Sequence, residues 1–458
     1  MDGPLIIPIT VTGKPRKGFM SLLSLTEHSE RMMGIGESGD DRISQLPENV
    51  IHHILMLLPI KDAARTAFMS TIWRRHWRSI PRLVFDDGFA RITEPSMMDK
   101  LILKIYKSLL VHDGPISKFV LAVPGLTPCD ELDHIIFHLS GRGVQEFTLV
   151  LSSGVGHIYK LPSSLFTTRL NCLKLEGCLF MVPPWFVGFG KLTELELFRV
   201  NLPSDFFGSF LPKCPLLRDL RLFLCEGPTN LELDAPRLVV FFFARVLLQK
   251  LFFKRTPLLS VLSLYVDVFQ KPNVVDLFAS LPALRHLHIL PAFLRVLANG
   301  GHIPSRFPKP LYRLQLLRVS GLLLASLEMQ RVLACIIMSS PNLHTLMIQL
   351  DTIVLNEPRN NDAVTSIRSL LSAEDSHGSD FSLQHLKVFK INDSLGTQVE
   401  MELVRLILAT APLLLRIQIQ PYHLLSSKKV TKFMKEVMQY KRISKEAEII
   451  YVWNDEED

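Results

Sequence analysis

Cysteine is scarce and never closely paired. The six in 458 residues are Cys129, Cys172, Cys178, Cys214, Cys225 and Cys335, and no two stand in Cys-x-x-Cys. No secretory signal precedes them, so free thiols in a reducing compartment are expected. Long apolar runs are also missing. Runs such as Leu238–Phe243 and Val246–Leu248 are broken by Arg245 and Lys250, and none reaches the length of a membrane span. No Gly-x-x-x-x-Gly-Lys-Ser/Thr loop, Gly-x-Ser-x-Gly elbow or full dinucleotide fingerprint occurs. The pairs Gly141/Gly143, Gly154/Gly156 and Gly188/Gly190 read as turns. His134 and His138 share a helix face near Cys129, Asp130, Glu131 and Asp133, yet they lack a neighbouring Glu in the His-Glu-x-x-His sense and a third ligand. They read as polar positions on a half-exposed helix. No metal, no cofactor and no catalytic residue is assigned. The net charge of +7 comes from 51 Lys and Arg interleaved with 44 acids, so direct nucleic-acid binding is not expected.

What is present is apolar. The chain is 48% hydrophobic with a mean hydropathy of +0.24, which implies a large core and room for two or three domains. Residues 41–87 read as three short helices. Pro47 suits a first helical turn, because that position has no use for an N–H. Pro59 closes the first helix, Asp62 can cap a second, and Ser70 can cap a third that carries Trp73 and Trp77. The first helix is apolar nearly all round, with Val50, Ile51 and the run Ile54–Leu58, so both its faces should be buried. So short a stretch cannot cover that surface alone and needs a partner.

The same stretch carries a resemblance. Asp41-Arg42-Ile43-Ser44-x-Leu46-Pro47-Glu48, Leu58-Pro59-x-Lys61-Asp62-Ala63, Arg65-Thr66, Met69-Ser70 and Trp73-Arg74 resemble the F-box of the plant F-box/leucine-rich-repeat family, without a gap to Phe85-Asp86-Asp87. The family usually has Lys-Arg before the Trp-Arg pair, where Thr71 and Ile72 stand here. The resemblance implies docking onto a Skp-type adaptor and, through it, a cullin. Leu46, Pro47, Ile51, Ile54, Leu55, Leu58 and Pro59 would line the adaptor surface.

Residues 1–40 show no period and read as a disordered leader, not a targeting peptide. Met97–Leu110 and Asp130–Leu139 read as amphipathic helices. From Ile116 a pattern of apolar-x-x-apolar-x-apolar recurs, starting at Ile116, Val144, Leu170, Leu192, Leu217, Leu238, Leu259, Leu284, Leu314, Leu343, Leu383 and Leu414. The spacing is close to the roughly 20–29 residues of leucine-rich repeats. Each unit supplies a short strand with one buried face and returns by a helix or an irregular arm. Units that cannot bury a face alone stack into a solenoid. The expected fold is therefore α/β: an N-terminal three-helix F-box, then an irregular solenoid over 88–382 with parallel strands on its concave face and helices and loops outside. Cys178 and Cys225 fall where this repeat class takes Asn or Cys, and both are assigned to packing. Residues 356–380 read as a surface insertion containing one helix, around Val364–Leu371.

The segment 383–453 has its own resemblance. Leu386–Ile391, Glu402–Pro412 and Lys445–Tyr451 are similar to the FBD domain that follows many plant F-box/leucine-rich-repeat chains. It reads as strand, helix, strand, helix, strand, with Lys428, Lys429, Lys432, Lys435, Lys441 and Arg442 and an acidic tail at 454–458 supplying a polar end cap. The basic helix, which includes Phe433, is read as a solvated face rather than an RNA or lipid site, and no membrane partner is expected.

The alternation also gives the concave face, since residues between the apolar ones point away from the core. It holds Lys174 and Glu176, Glu194 and Glu196, Asp219 and Arg221, Ser263 and Tyr265, His286 and His288, Arg318 and Ser320, Met347 and Gln349, His385 and Lys387, Arg416 and Gln418. Arg221, Tyr265, His286 and Arg318 are the best-placed contacts for a target protein. The implied function is a non-catalytic, intracellular (cytoplasmic or nuclear) substrate receptor of a cullin-RING ubiquitin ligase. The alternative is a repeat scaffold or small-molecule sensor uncoupled from any ligase.

Overall fold

The computed structural model describes residues 46–68, 70–90, 98–152, 158–270, 272–351, 361–372 and 383–452. The expected leader, residues 41–45 of the F-box, the acidic tail and both flanks of the expected insertion lie outside them.

Three helices open the described chain: α1 (Glu48–Leu57), α2 (Ile60–Thr66) and α3 (Thr71–Trp77). Pro47 occupies the cap of α1, and Leu58 is extended, as the residue before a proline must be. Pro59 opens α2. Asp62 is not its cap but lies within its first turn, 3.1 Å from Arg65. Ser70 caps α3, its Oγ accepting the Trp73 N–H at 3.3 Å.

The strands follow one rule. A 14-stranded sheet, parallel throughout, takes its strands in chain order, each paired with the next. They are β1 (Arg82–Phe85), β2 (Lys118–Leu121), β3 (Glu146–Val150), β5 (Cys172–Glu176), β7 (Glu194–Phe198), β8 (Asp219–Phe223), β10 (Val240–Leu248), β12 (Val261–Val268), β13 (His286–Ile289), β14 (Leu316–Leu322), β15 (Thr345–Leu350), β16 (Val388–Ser394), β17 (Arg416–Pro421) and β18 (Glu448–Tyr451). Two small parallel pairs lie in the return arms: β4 (Tyr159–Lys160) with β6 (Cys178–Leu179), and β9 (Asn230–Asp234) with β11 (Lys250–Arg255). The register stacks one apolar residue per strand into a continuous row, from Leu83, Phe119 and Phe147 to Phe389, Ile417 and Ile449. Because β1 belongs to this sheet, the F-box helices and the solenoid share one core, running without a break from Ile51 to Ala447.

A short helix, α4 (Asp87–Ala90), follows β1, and the first repeats return through α5 (Met98–Leu110) and α6 (Glu131–Ser140). Between β3 and β12 the returns are irregular arms. Here Phe166, Phe180, Phe186, Phe189, Phe206 and Phe210 form a buried knot with ring centroids 4.8 to 6.3 Å apart. Large rings fill space that an irregular arm cannot fill with periodic side chains. Each arm starts at a sharp turn. Gly177 has φ +70°, and a Cβ there would meet the Leu151 carbonyl oxygen at 2.4 Å, so only glycine fits. Immediately after it and after Leu224 sit Cys178 and Cys225, both buried as expected for packing thiols, and burial pushes both up to about 12.

From β12 on, the returns are helical: α7 (Val274–Ala279), α8 (Pro291–Ala298), α9 (Leu327–Met338), α10 (Asn361–Ser372), α11 (Gln398–Thr410) and α12 (Ser427–Met438). Two expectations change here. The helix placed in a surface insertion is α10, and it is the regular outer helix of its repeat. Ala363 and Ile367 are buried, and Gln330 of α9 donates to the Ala363 carbonyl at 3.0 Å. The extra length lies instead in 352–360 and 373–382, outside the described residues. Second, the repeat placed at Leu383 begins at Leu386. Leu383-x-x-Leu386-x-Val388 and Leu386-x-x-Phe389-x-Ile391 both satisfy the apolar template, three residues apart, and burial selects the second: Leu386, Phe389 and Ile391 are all 0% exposed. His385 and Lys387 therefore lie in the turn before β16, and the residues that alternate outward on it are Lys390 and Asn392. At the start of α11, Thr397 and Glu400 form a capping box, and Glu400 also accepts from the N–H groups of Leu395 and Gly396 at 3.0 Å. Phe433 of the basic helix α12 is buried core.

Candidate functional site: the F-box surface and the concave face

On α1 two apolar stripes run side by side. Ile51 and Leu55 face inward at 0% and 1% exposure. They close the core with Ile60, Ala63 and Trp73 and are not available to a partner, so they leave the set expected to line the adaptor surface. The second stripe, Val50, Ile54 and Leu57, is spaced at i, i+4 and i+7 and looks outward, with Leu57 72% exposed. Leu46, Ile54 and Leu58 are half-buried, and Pro47 and Pro59 are exposed. Phe68 and Ile72 add exposed apolar surface on α2's C-terminal side and on α3. Val50, Leu57, Phe68 and Ile72 were not among the residues expected to line the adaptor surface. Val50 and Leu57 were legible in the spacing, but an all-round apolar helix does not say which stripe faces home.

The concave face changes character along its length. Across β2 to β8 every ladder cation has a carboxylate. Lys118 meets Glu146 at 2.6 Å, and Lys174 sits between Glu194 at 2.6 Å and Glu196 at 3.1 Å. Arg199 pairs with Glu176, and Arg221 grips Asp219 with two hydrogen bonds of 2.9 Å. Burial is the largest single influence and would lower the Lys174 pKa and raise that of Glu194, yet the hydrogen bonds and charge attractions among Lys174, Glu194 and Glu196, helped at Glu194 by Cys172 and Arg221, together outweigh it and hold each charged. Phe198, Phe223 and Phe242 form a half-buried ladder with centroids 6.4 and 6.3 Å apart, and Arg199 and Arg221 lie over Phe198 and Phe242.

Further along, on β12 to β14, His288 bridges two buried hydroxyls, Ser263 at 3.3 Å and Ser320 at 3.1 Å. Burial, helped by the Arg318 charge, lowers its pKa to about 4. Of the four expected target contacts, Arg221 is held by Asp219, while Tyr265, His286 and Arg318 are exposed. They do not form one cluster. Arg221 and Arg318 share a cross-strand row through Phe242, Ser263 and His288, but four strand steps of about 4.8 Å separate them. Tyr265 and His286 sit in other rows.

His134 is exposed beside Tyr106, with ring centroids 5.8 Å apart, and the pKa of His138 is lowered by burial. Among the described residues no three His, Cys, Asp or Glu side chains converge as metal ligands, and no helix is long and apolar enough to cross a membrane.

A three-helix cap whose last strand opens an all-parallel, in-order solenoid defines the class: an F-box carried on leucine-rich repeats. Residues 43–85, ending with β1, match the F-box domain, and residues 132–348 match the leucine-rich repeats of the FBD-associated F-box protein At5g56370. F-box/FBD/LRR-repeat protein At1g13570 of Arabidopsis thaliana is 29% identical over 434 residues, 91% of this chain and 100% of that protein. The putative F-box/FBD/LRR-repeat protein At5g56810 and the F-box/FBD/LRR-repeat protein At3g51530 of the same plant are 34% and 31% identical, over 40% and 44% of this chain and 42% and 44% of their own lengths. The chain is thus similar to these F-box/leucine-rich-repeat proteins over its F-box and its repeats and, for the first of them, over nearly its whole length.

Proposed function

We propose that the chain is the target-receptor subunit of a Skp–cullin–RING-type ubiquitin ligase. The observation that carries this is the F-box match over 43–85 together with the outward stripe on α1, where Val50 and Leu57 are exposed on either side of the half-buried Ile54. The docking face is the expected set without Ile51 and Leu55, extended by the new stripe: Leu46, Pro47, Val50, Ile54, Leu57, Leu58 and Pro59. The receptor performs no covalent chemistry. It holds a target protein near a ubiquitin-charged enzyme and so raises the effective concentration of target lysines. Tyr265, His286 and Arg318 are contacts for that target; Arg221 contributes through its stacked, Asp219-bound guanidinium. The implied location is the cytoplasm or nucleus.

Co-purification with a Skp-type adaptor tests this. Changing Leu46 and Pro47 together to Ala should abolish adaptor capture while leaving the solenoid folded, as a retained cooperative thermal unfolding transition would show. Undiminished capture by that variant overturns the docking surface. Ile51→Ala separates burial from docking: it should cost about 2–5 kcal/mol of stability, because it opens a cavity in the shared core.

A further inference from the structure

One stretch of the chain has almost no acid. Residues 277–350 contain seven Lys and Arg, namely Arg285, Arg295, Arg306, Lys309, Arg313, Arg318 and Arg331, against Glu328 alone, a net of +6 within a chain whose total is +7. Among the described residues none of these seven forms an ion pair. The charges are interleaved elsewhere but not here.

The folded chain gathers part of this charge at the rim where strands begin. The residue just before each strand bonds backbone to backbone with its neighbour: Gln315 N–H to the Arg285 carbonyl at 2.8 Å, His344 to Gln315 at 2.9 Å, Lys387 to His344 at 2.9 Å. The rim therefore reads Arg285, Gln315, His344, Lys387 across β13 to β16. The preceding rim positions, Gln145, Asn171, Thr193, Arg218, Val239 and Ser260, carry a single charge, that of Arg218. Between the turns lies an open depression of about 480 Å³ lined by Arg285, Tyr312, Arg313, Gln315, Asn342 and His344. Its shape is fixed by side chains. The Asn342 amide donates to the Tyr312 carbonyl at 2.8 Å, and His344 Nδ1 lies 2.8 Å from the Asn342 carbonyl oxygen. Tyr312 stands 64% exposed at its edge, and the His385 ring stacks on His344 at 6.2 Å.

The geometry points to this depression as the place where the receptor takes an acidic stretch of its target polypeptide. The inference rests on the receptor reading and names the chemistry its target must show. Cations without carboxylates attract carboxylates, and the amides of Gln315 and Asn342 offer donors and acceptors to an extended backbone. Four strands at about 4.8 Å spacing give a rim roughly 14 Å long, the length of about four extended residues. A nucleic acid without base readout needs a longer basic groove with successive aromatic platforms, whereas the depression is short and offers Tyr312 and the imidazole of His344.

The test is fluorescence anisotropy of a short fluorescein-labelled polyglutamate peptide on the full chain bound to its adaptor. A labelled polyglutamine peptide and a labelled single-stranded oligonucleotide run alongside. Polyglutamate should bind and polyglutamine should not, with affinity falling as salt rises. Arg285→Glu with Arg313→Glu should weaken binding roughly tenfold or more. Arg295→Glu with Arg331→Glu makes the same change of net charge on the exposed outer faces of α8 and α9 and should leave binding within about twofold. Arg285→Gln with Arg313→Gln, a milder pair, should lie between them, with unaltered thermal unfolding showing the chain is folded. Equal losses in the rim and outer pairs, no loss in either, or tighter rim-dependent binding of the oligonucleotide each overturn the proposal. Adaptor capture, read on the same samples, reports separately on the receptor reading: if it fails while polyglutamate still binds, the ligase role falls and the site stands.

Discussion

The two ends of the concave ladder solve the same problem differently. On β2 to β8 each cation is matched by a carboxylate on its own or the adjacent strand, and stacked phenylalanines fill the rest. On β13 to β15 the charges form no ion pair among the described residues, and the half-buried His288 imidazole between two hydroxyls is kept neutral. A ladder whose charges are mutually satisfied gains little from an ionic ligand, because the ligand must displace an existing partner. A ladder with unmatched cations carries repulsion that a ligand relieves. The difference teaches that the count of charges on such a face says less than whether they are already taken.

The comparison can be strained hardest from behind. The closed half rests on the phenylalanine knot of its irregular arms, so Phe210→Ala should cost about 3–5 kcal/mol in denaturant unfolding. A loss under about 1 kcal/mol would mean that the arms, not the rings, hold that half together. The next change opens the closed half. Glu194→Gln with Glu196→Gln leaves Lys174 without its partners. It should lower stability by about 1 kcal/mol, discounted for the partial exposure of the group, and should let polyglutamate bind where it did not before. If the new site fails to appear, pairing is not what closes this half.

The smallest effect concerns His288. A histidine whose folded pKa is depressed takes up its proton later than the unfolded chain does. Stability is thus fully present above about pH 6.5 and falls as the pH drops through the window toward 4. Its ring resonance should stay unshifted until near pH 4, and Arg318→Ala should move that midpoint upward, since the neighbouring cation helps depress it. A midpoint near 6.5 in the intact chain would place the imidazole in solvent rather than between Ser263 and Ser320.

Most of the solenoid was legible because its signal is repetitive: an alternation that recurs at Leu170, Leu192 and Leu217 leaves little freedom of register. It failed where two registers fit, as at Leu383 and Leu386, since burial rather than sequence separates templates three residues apart. Strand β1 was missed because Ile80, Leu83 and Phe85 were already assigned to the F-box. Helix α10 read as an insertion because the long spacing around it hides an ordinary outer helix. On α1 both stripes are apolar, so Ile51 and Val50 look alike until the neighbouring helices are in place. The rim was invisible for a different reason. Arg285, Gln315 and His344 are about thirty residues apart in the chain and become neighbours only through the ladder.

The change of outer layer also sets curvature. Adjacent strands lie about 4.8 Å apart, whereas adjacent helices need about 10 Å. Repeats backed by helices, β1 to β3 and β13 to β18, must therefore fan outward on their helical side. Those backed by the extended arms β9 and β11, themselves paired as a parallel sheet, have no such mismatch. The sheet has to run straighter through its paired, aromatic middle and wind more tightly where the unmatched cations begin. A peptide bound there follows an arc, and the amide groups along its inner side converge.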